Sequence, residues 1–286
     1  MGRKSFTLGR FLYLPGLIVI LTIVLGGLFK SLLISFGYFK EIGMTEFTFE
    51  FYKKVLTDKT FIESLLFTLK FSFVSSFLAV IFGAVLAYSI FFFDRTREFY
   101  LNIPVIITHM LVVVFLLNFL SNTGLVSRIL FQIGLIEEPT QMIQLFYNKN
   151  SIGIILVYIL KGAPFAGLVI LQILKSMSIN KFYAARNLGA GVFSEIKYII
   201  WPDIKNSMTK IFLILFSFSF SSYEVPFLIG PTKPRALAVK SYIDFTKNDF
   251  IYKPTAIVIN IIIGLIGILS VLLILRMEDR DSESFF

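Results

Sequence analysis

Six stretches of this 286-residue chain run for about 20 or more residues with almost no charge, the length a helix needs to cross about 30 Å of hydrocarbon. They fall at 11–36, 64–93, 99–120, 152–175, 208–230 and 254–275. A backbone in lipid must satisfy its own hydrogen bonds, so only helices and closed barrels span a membrane. These runs are too long and too evenly apolar to be barrel strands. The expected fold is therefore all-α and integral to a membrane, with six transmembrane helices. Composition agrees: 56% of residues are hydrophobic and 16% charged, whereas a soluble domain carries about 25% charge. Burying 34 Phe in a soluble fold would leave large exposed patches, which soluble monomers rarely tolerate.

The same composition excludes several chemistries. Cysteine is absent, so there is no disulfide framework, thiol nucleophile, Cys-ligated metal or lipidated Cys anchor. One histidine, His109, lies in the apolar run Leu101–Leu120. It cannot build a multi-His site, and it reads as a packing or hydrogen-bonding residue, with contact to substrate as the alternative; no metal is expected. The net charge of +9 comes from Lys and Arg scattered through the loops. That pattern fits membrane-flanking cations facing anionic headgroups and not a nucleic-acid surface, which gathers its charge on one face. No Gly-x4-Gly-Lys-Ser/Thr phosphate loop, paired carboxylates or nucleophile constellation is present, so no catalytic activity is expected.

Orientation follows Lys/Arg asymmetry. Arg3, Lys4 and Arg10 precede the first apolar run, and Arg95 and Arg97 flank the turn at 94–98. The run from Phe11 exceeds a signal-peptide core and lacks a following cleavage site, so it reads as a retained span. One side then holds the N-terminus, the 94–98 turn, the 176–207 loop and the C-terminus, with about 13 basic residues against about 11 on the other. This side is expected to be cytoplasmic. Residues 1–10 form its N-terminal segment, 11–275 the transmembrane domain, and 276–286 a tail whose acidic stretch Glu278–Phe286 is expected to be unstructured. Gly162 with Ala166, Ala163 with Gly167, and Gly264 with Gly267 sit at helical spacing, where small residues let backbones approach.

The loop between the fourth and fifth spans is neither linker nor span. Ser178 or Asn180 suits a helix start. Phe182-Tyr-Ala-Ala-Arg-Asn-Leu forms a short helix, and Gly189 ends it. Val192-Phe193, Ile196 and Ile199-Ile200 suggest a second short helix, and Pro202 opens the next segment. A helix–Gly–helix elbow with apolar and charged faces is suited to docking on another protein. It resembles the EAA motif of binding-protein-dependent ABC importer permeases, E-A-A-x3-G-x9-I-x-L-P. Ala184, Ala185, Gly189, Ile199 and Pro202 match at that spacing. Tyr183 replaces the Glu and Trp201 the Leu; the first change questions any ion pair the Glu would make. Ser64–Ser72, Lys161-Gly-Ala-Pro-Phe165 and Ser221–Gly230 resemble further parts of such permeases. The last segment resembles the branch that carries polyamines, ferric iron and phosphonates.

The resemblance implies a type I (MetI-like) fold in the bacterial cytoplasmic membrane, with both termini in the cytoplasm. It implies a second permease subunit, the same or related, an ABC ATPase dimer holding ATP and Mg, and an external substrate-binding protein. No cofactor would be bound by this chain. Tyr183, Ala184, Ala185, Gly189, Ala190, Ile199 and Pro202 would couple to the ATPase.

For the substrate path, ionisable residues inside spans are costly and so mark function. Ser217, Ser221 and Glu224 recur at i, i+4 and i+7, giving the fifth helix a polar stripe. Glu224 lies about 24 Å along it, toward the external half, and reads either as path-lining or as a structural anchor at the Tyr223–Pro226 break. Asn118, Lys161, Lys70 and Asn260 are further candidates. A lone path-facing Glu favours a small organic cation such as a polyamine. An ion-coupled secondary transporter is the alternative of another class, but it calls for inverted repeats and embedded acids; only one embedded acid and no clear repeat are present.

Overall fold

The computed structural model describes residues 14–93 and 97–283. In chain order the helices are α1 (Leu14–Ser35), α2 (Glu50–Thr57), α3 (Lys59–Phe93), α4 (Glu98–Ile106), α5 (His109–Leu120), α6 (Leu125–Gln132) and α7 (Ile152–Ser176). They continue with α8 (Ile179–Asn187), α9 (Val192–Glu195), α10 (Trp201–Ser221), α11 (Glu224–Ile229), α12 (Leu237–Phe245) and α13 (Lys253–Glu283). Among the described residues there is no strand, only an isolated bridge between Phe39 and Met44. The protein is all-α and integral to a membrane.

Five segments among the described residues are long and apolar enough to cross a bilayer: Leu14–Ser35, Lys59–Phe93, His109–Gln132, Ile152–Ser176 and Phe250–Glu278. The expected first, second, fourth and sixth spans are recovered, although residues 11–13 of the first lie outside the described residues. So do Arg3, Lys4, Arg10 and Arg95, on which the orientation largely rests. The other two spans differ from expectation. The run 99–120 breaks at Ile107 and Thr108, both extended. The run 208–230 is not one helix. Its helix begins earlier, at Trp201, takes in Lys205 and Lys210, and ends at Ser221. Hydropathy alone does not reveal this stop. Pro226 has no N–H for the Ser222 carbonyl, so a continuous helix would lose a hydrogen bond there. The acidic end also differs, because α13 continues as helix to Glu283.

The chain forms two compact units, one built from residues up to Phe61 with Lys240–Ile262, the other from Ile62–Val239 with residues from Ile263 on. In the first unit, Ile34, Phe39 and Ile257 pack with Ile42, Met44 and Ile261. Lys240 donates to Thr60 Oγ1 at 2.8 Å and pairs with Asp58 at 3.3 Å. Of α1, only Ile34 and Ser35 are buried.

The second unit is centred on α3, α4, α7, α8 and α10. Val80, Ala87, Leu101, Ala166, Ile170, Leu171, Phe182, Ile204 and Ile211 form its core. In lipid there is little hydrophobic drive between helices, so close backbone contact must supply the packing. The small residues of α7 do this. A Cβ on Gly83 of α3 would lie 2.6 Å from Ala166 Cβ and 2.7 Å from the Ala163 oxygen. One on Gly162 would lie 2.9 Å from Ala79 Cβ. The expected α7 contact surface is thus its crossing with α3. A Cβ on Gly264 or Gly267 would have nothing within 4 Å, so the expected helix contact there is not made among the described residues.

Because both neighbours of Gly83 are backbone or short side chain, they cannot yield. Gly83→Val is expected to destabilise the protein by at least about 2 kcal/mol, seen as a lower thermal unfolding midpoint in detergent. Gly264→Val should leave that midpoint unchanged.

Candidate functional site

The loop after α7 folds as an elbow. The N–H of Gly189 bonds the Arg186 carbonyl (2.9 Å) and that of Ala190 the Ala185 carbonyl (3.0 Å). These are the paired bonds of a Schellman cap, and Gly189 sits in the left-handed region at φ +82, where other residues are strained. The motif's Ala-Ala-x3-Gly is therefore a helix with its own stop. After α9, residues Ile196–Ile200 form a π turn directly before Pro202. In that turn the Trp201 N–H bonds the Ile196 carbonyl five residues back, and Pro202, which has no N–H to give, follows at the start of α10.

Two contacts seat the elbow. Phe182 is buried against Phe91 and Phe92 of α3, with ring centroids 5.9 and 5.3 Å away. Arg186 lies over the Phe92 ring at 5.4 Å and grips Glu195 with two N–H donors, Nε to Oε1 at 2.5 Å and Nη2 to Oε2 at 3.1 Å. Glu195 is only 1% exposed, and a buried carboxylate needs such a partner. Of the motif positions, Tyr183, Ala184, Gly189 and Pro202 are exposed, while Ala185, Ala190 and Ile199 are half-buried. The Arg186–Glu195 pair is not among the expected features. Its signal is nonetheless present in the sequence: the acid stands among apolar residues across a Gly turn from a lone Arg.

A cavity of about 300 Å³ lies among α3, α4, α5, α7 and α10, lined by Ser76, Ala79, Val105, His109, Tyr158, Lys161, Gly162, Phe165, Ile214, Leu215, Phe218 and Ser219. Its lining is mostly apolar, aliphatic and aromatic, the hydroxyl residues Ser76, Tyr158 and Ser219 are themselves buried, and no carboxylate is among the lining residues. His109 packs its ring on Phe218 at 5.0 Å and faces Tyr158 at 6.1 Å. Ser76 and Ser219 are joined by a 3.4 Å hydroxyl contact.

Lys161 lines this cavity, but its ammonium is already used. It donates to the carbonyls of Pro104 (2.6 Å), Val105 (3.0 Å) and Ile107. These are carbonyls that the break between α4 and α5 strands. On the far side of the break, the Thr108 side chain caps α5 by accepting from the Leu111 N–H. Pro104 in the third span and a lysine in the fourth are both visible in the sequence; their pairing is not.

The other path candidates scatter. The hydroxyls of Ser217 and Ser221 bond carbonyls of their own helix, Leu213 for the first and Ser217 for the second. Glu224 starts the next helix, so the expected continuous stripe does not form. Glu224 is exposed and is not a cavity residue. Asn118 donates to the Val114 carbonyl at 2.8 Å and lines a separate polar recess with Arg128. Lys70 and Asn260 are exposed.

No protein-family model matches the sequence. A chain of a bacterial ABC transporter that imports the acidic polysaccharide alginate superposes over 97% of this chain and 96% of its own, with a TM-score of 0.78 at 18% identity. The fold is the one that this ABC transporter chain has. The methionine ABC transporter MetNI, in an inward-facing form, gives a TM-score of 0.50 at 17% identity, covering 76% of this chain and 95% of its own. In sequence, the galactooligosaccharides transport system permease protein GanP of Bacillus subtilis (strain 168) is 30% identical over 87 residues, 30% of this chain. The chain spans about a fifth of that relative's length, 21%. The cargoes in these names are two saccharides and an amino acid. The polyamine expectation finds no support in these names.

Losing the Lys161 ammonium would leave three carbonyls unpaired in a low-dielectric interior. Lys161→Met is expected to cost about 3 kcal/mol or more, since each stranded buried acceptor costs about 1–3 kcal/mol. The measure is the thermal unfolding midpoint in detergent, and Ser217→Ala serves as the near-neutral control.

Proposed function

We propose that this chain is the permease subunit of an ATP-driven importer of oligosaccharides in a bacterial cytoplasmic membrane. The elbow at 177–202 couples it to a cytoplasmic ATPase. The observation that carries this reading is the elbow itself. Its Gly-capped helix is pinned on the end of α3 through Phe182 and Arg186, and its π turn runs directly into α10. Both α3 and α10 also line the cavity. Movement imposed on the elbow is thus transmitted to two walls of the cavity at once, the rigid-body switching that an importer requires.

On this reading Tyr183, Ala184, Ala185, Gly189, Ala190, Ile199 and Pro202 shape the coupling surface. ATP and Mg reside on the partner ATPase, an external binding protein delivers the cargo, and a second permease completes the path. Both termini lie on the ATPase side. The saccharide assignment is supported by the names of the alginate transporter and the galactooligosaccharide permease. The lining adds the aromatic rings of His109, Phe165 and Phe218, flat faces on which a sugar ring can stack.

Two outcomes test the proposal. Mass spectrometry of the ligand carried by the partner binding protein is expected to find an oligosaccharide; a polyamine would overturn the substrate assignment. In liposomes holding permease, ATPase and binding protein, Gly189→Val places a β-branched residue at positive φ, at a cost of about 1–2 kcal/mol. Uptake is expected to fall at least about tenfold, the equivalent of about 1.4 kcal/mol, while ATP hydrolysis persists. Normal uptake in this variant would count against the elbow as the coupling element.

A further inference from the structure

The outward face of α8 is formed by Asn180, Tyr183, Ala184, Asn187 and Leu188, which share one side at i, i+3, i+4, i+7 and i+8 spacing. All five are exposed, and none is charged. Leu188 is 89% exposed, and beyond the turn Phe193 is 78% exposed. Side chains of this size standing free at a helix end call for a covering surface. Of the charges nearest this face, two pairs are turned to each other instead. Arg186 is bound to Glu195 by two hydrogen bonds, and Lys181 pairs with Asp203 at 3.8 Å. Lys197 lies over the Tyr198 ring at 5.1 Å. The one motif position where an acid would reach outward holds Tyr183.

We propose that the elbow docks through an uncharged, apolar contact, with Leu188 and Phe193 as its two anchors, and that its partner is an ATPase cleft lined by apolar side chains with no cation facing Tyr183. This rests on the coupling reading above and specifies the partner's chemistry. The loop keeps its acid for internal bracing: the Glu195 carboxylate fixes Arg186 and so the elbow's shape, and the contact itself is carried by buried apolar area. Interfaces of this kind concentrate their energy in a few large side chains at the centre and respond weakly to salt, whereas contacts made by exposed ion pairs are screened.

The test is the affinity of the intact detergent-solubilised permease for its cognate, co-expressed ATPase, measured at two salt concentrations. Raising NaCl from about 0.1 to about 1 M shortens the Debye length from about 10 to about 3 Å. Kd is expected to change by less than about twofold over that range, as for a contact without ion pairs. Leu188→Ser and Phe193→Ser should each weaken binding about tenfold or more, as central anchors do. Both side chains are largely exposed, so the variants fold. Tyr183→Glu should weaken binding as well, because it buries an unpaired carboxylate. A loss of about tenfold or more between the two salts, unchanged affinity in both serine variants, or tighter binding by Tyr183→Glu would overturn the proposal. If the wild-type chain binds the ATPase at neither salt concentration, the coupling reading itself fails.

Discussion

A peptide carbonyl packed away from water must find a donor in the protein, and this protein breaks a helix where its carbonyls are so packed. The break at Ile107–Thr108 frees the carbonyls of Pro104, Val105 and Ile107, and the ammonium of Lys161 collects all three. Two costly features, an interrupted helix and a buried cation, are each made tolerable by the other. The arrangement also fixes where α4, α5 and α7 meet. His109, the first residue of α5, is thereby set against Phe218 and Tyr158 at the cavity. The cavity wall depends on the bend, and the bend depends on Lys161.

The close crossing of α3 and α7 serves the same region. Gly83 approaches Ala163 and Ala166 so tightly that no side chain fits, and Ala79, one helical turn earlier, meets Gly162 beside the cavity. Packing without side chains lets α3 continue unbroken past the crossing, and its far end presents Phe91 and Phe92 to the elbow. The clasp and the crossing thus hold the cavity from two sides, while the elbow sits at the end of one of its walls.

Much of this is legible in the sequence. Length and apolarity alone indicate the helical membrane fold, and the spacing of Ala184, Ala185, Gly189 and Pro202 locates the elbow, because a Gly cap and a helix-opening Pro are local properties. What escapes is long-range or involves competition. Hydropathy does not register that Ser221, Ser222 and Pro226 end a helix inside an apolar run, so the polar stripe through Glu224 falls on a helix that stops short of it. Lys161 reads as a path residue because a charge in a span stands out by itself; its carbonyl partners are more than 50 residues away in the chain. The Arg186–Glu195 pair is hidden for the same reason on a smaller scale, across one turn.

The seat of Phe182 on Phe92 has a mechanical side. The crossing at Gly83 is the natural pivot, and from there to Ser76 along α3 is about 7 residues, an arm of about 10 Å at about 1.5 Å per residue. A tilt of about 5° about that point displaces the Ser76 hydroxyl by about 1 Å. Its contact with Ser219 is already long, at 3.4 Å. A displacement of that size opens it altogether, so a small rocking of a stiff helix suffices to part the two sides of the cavity.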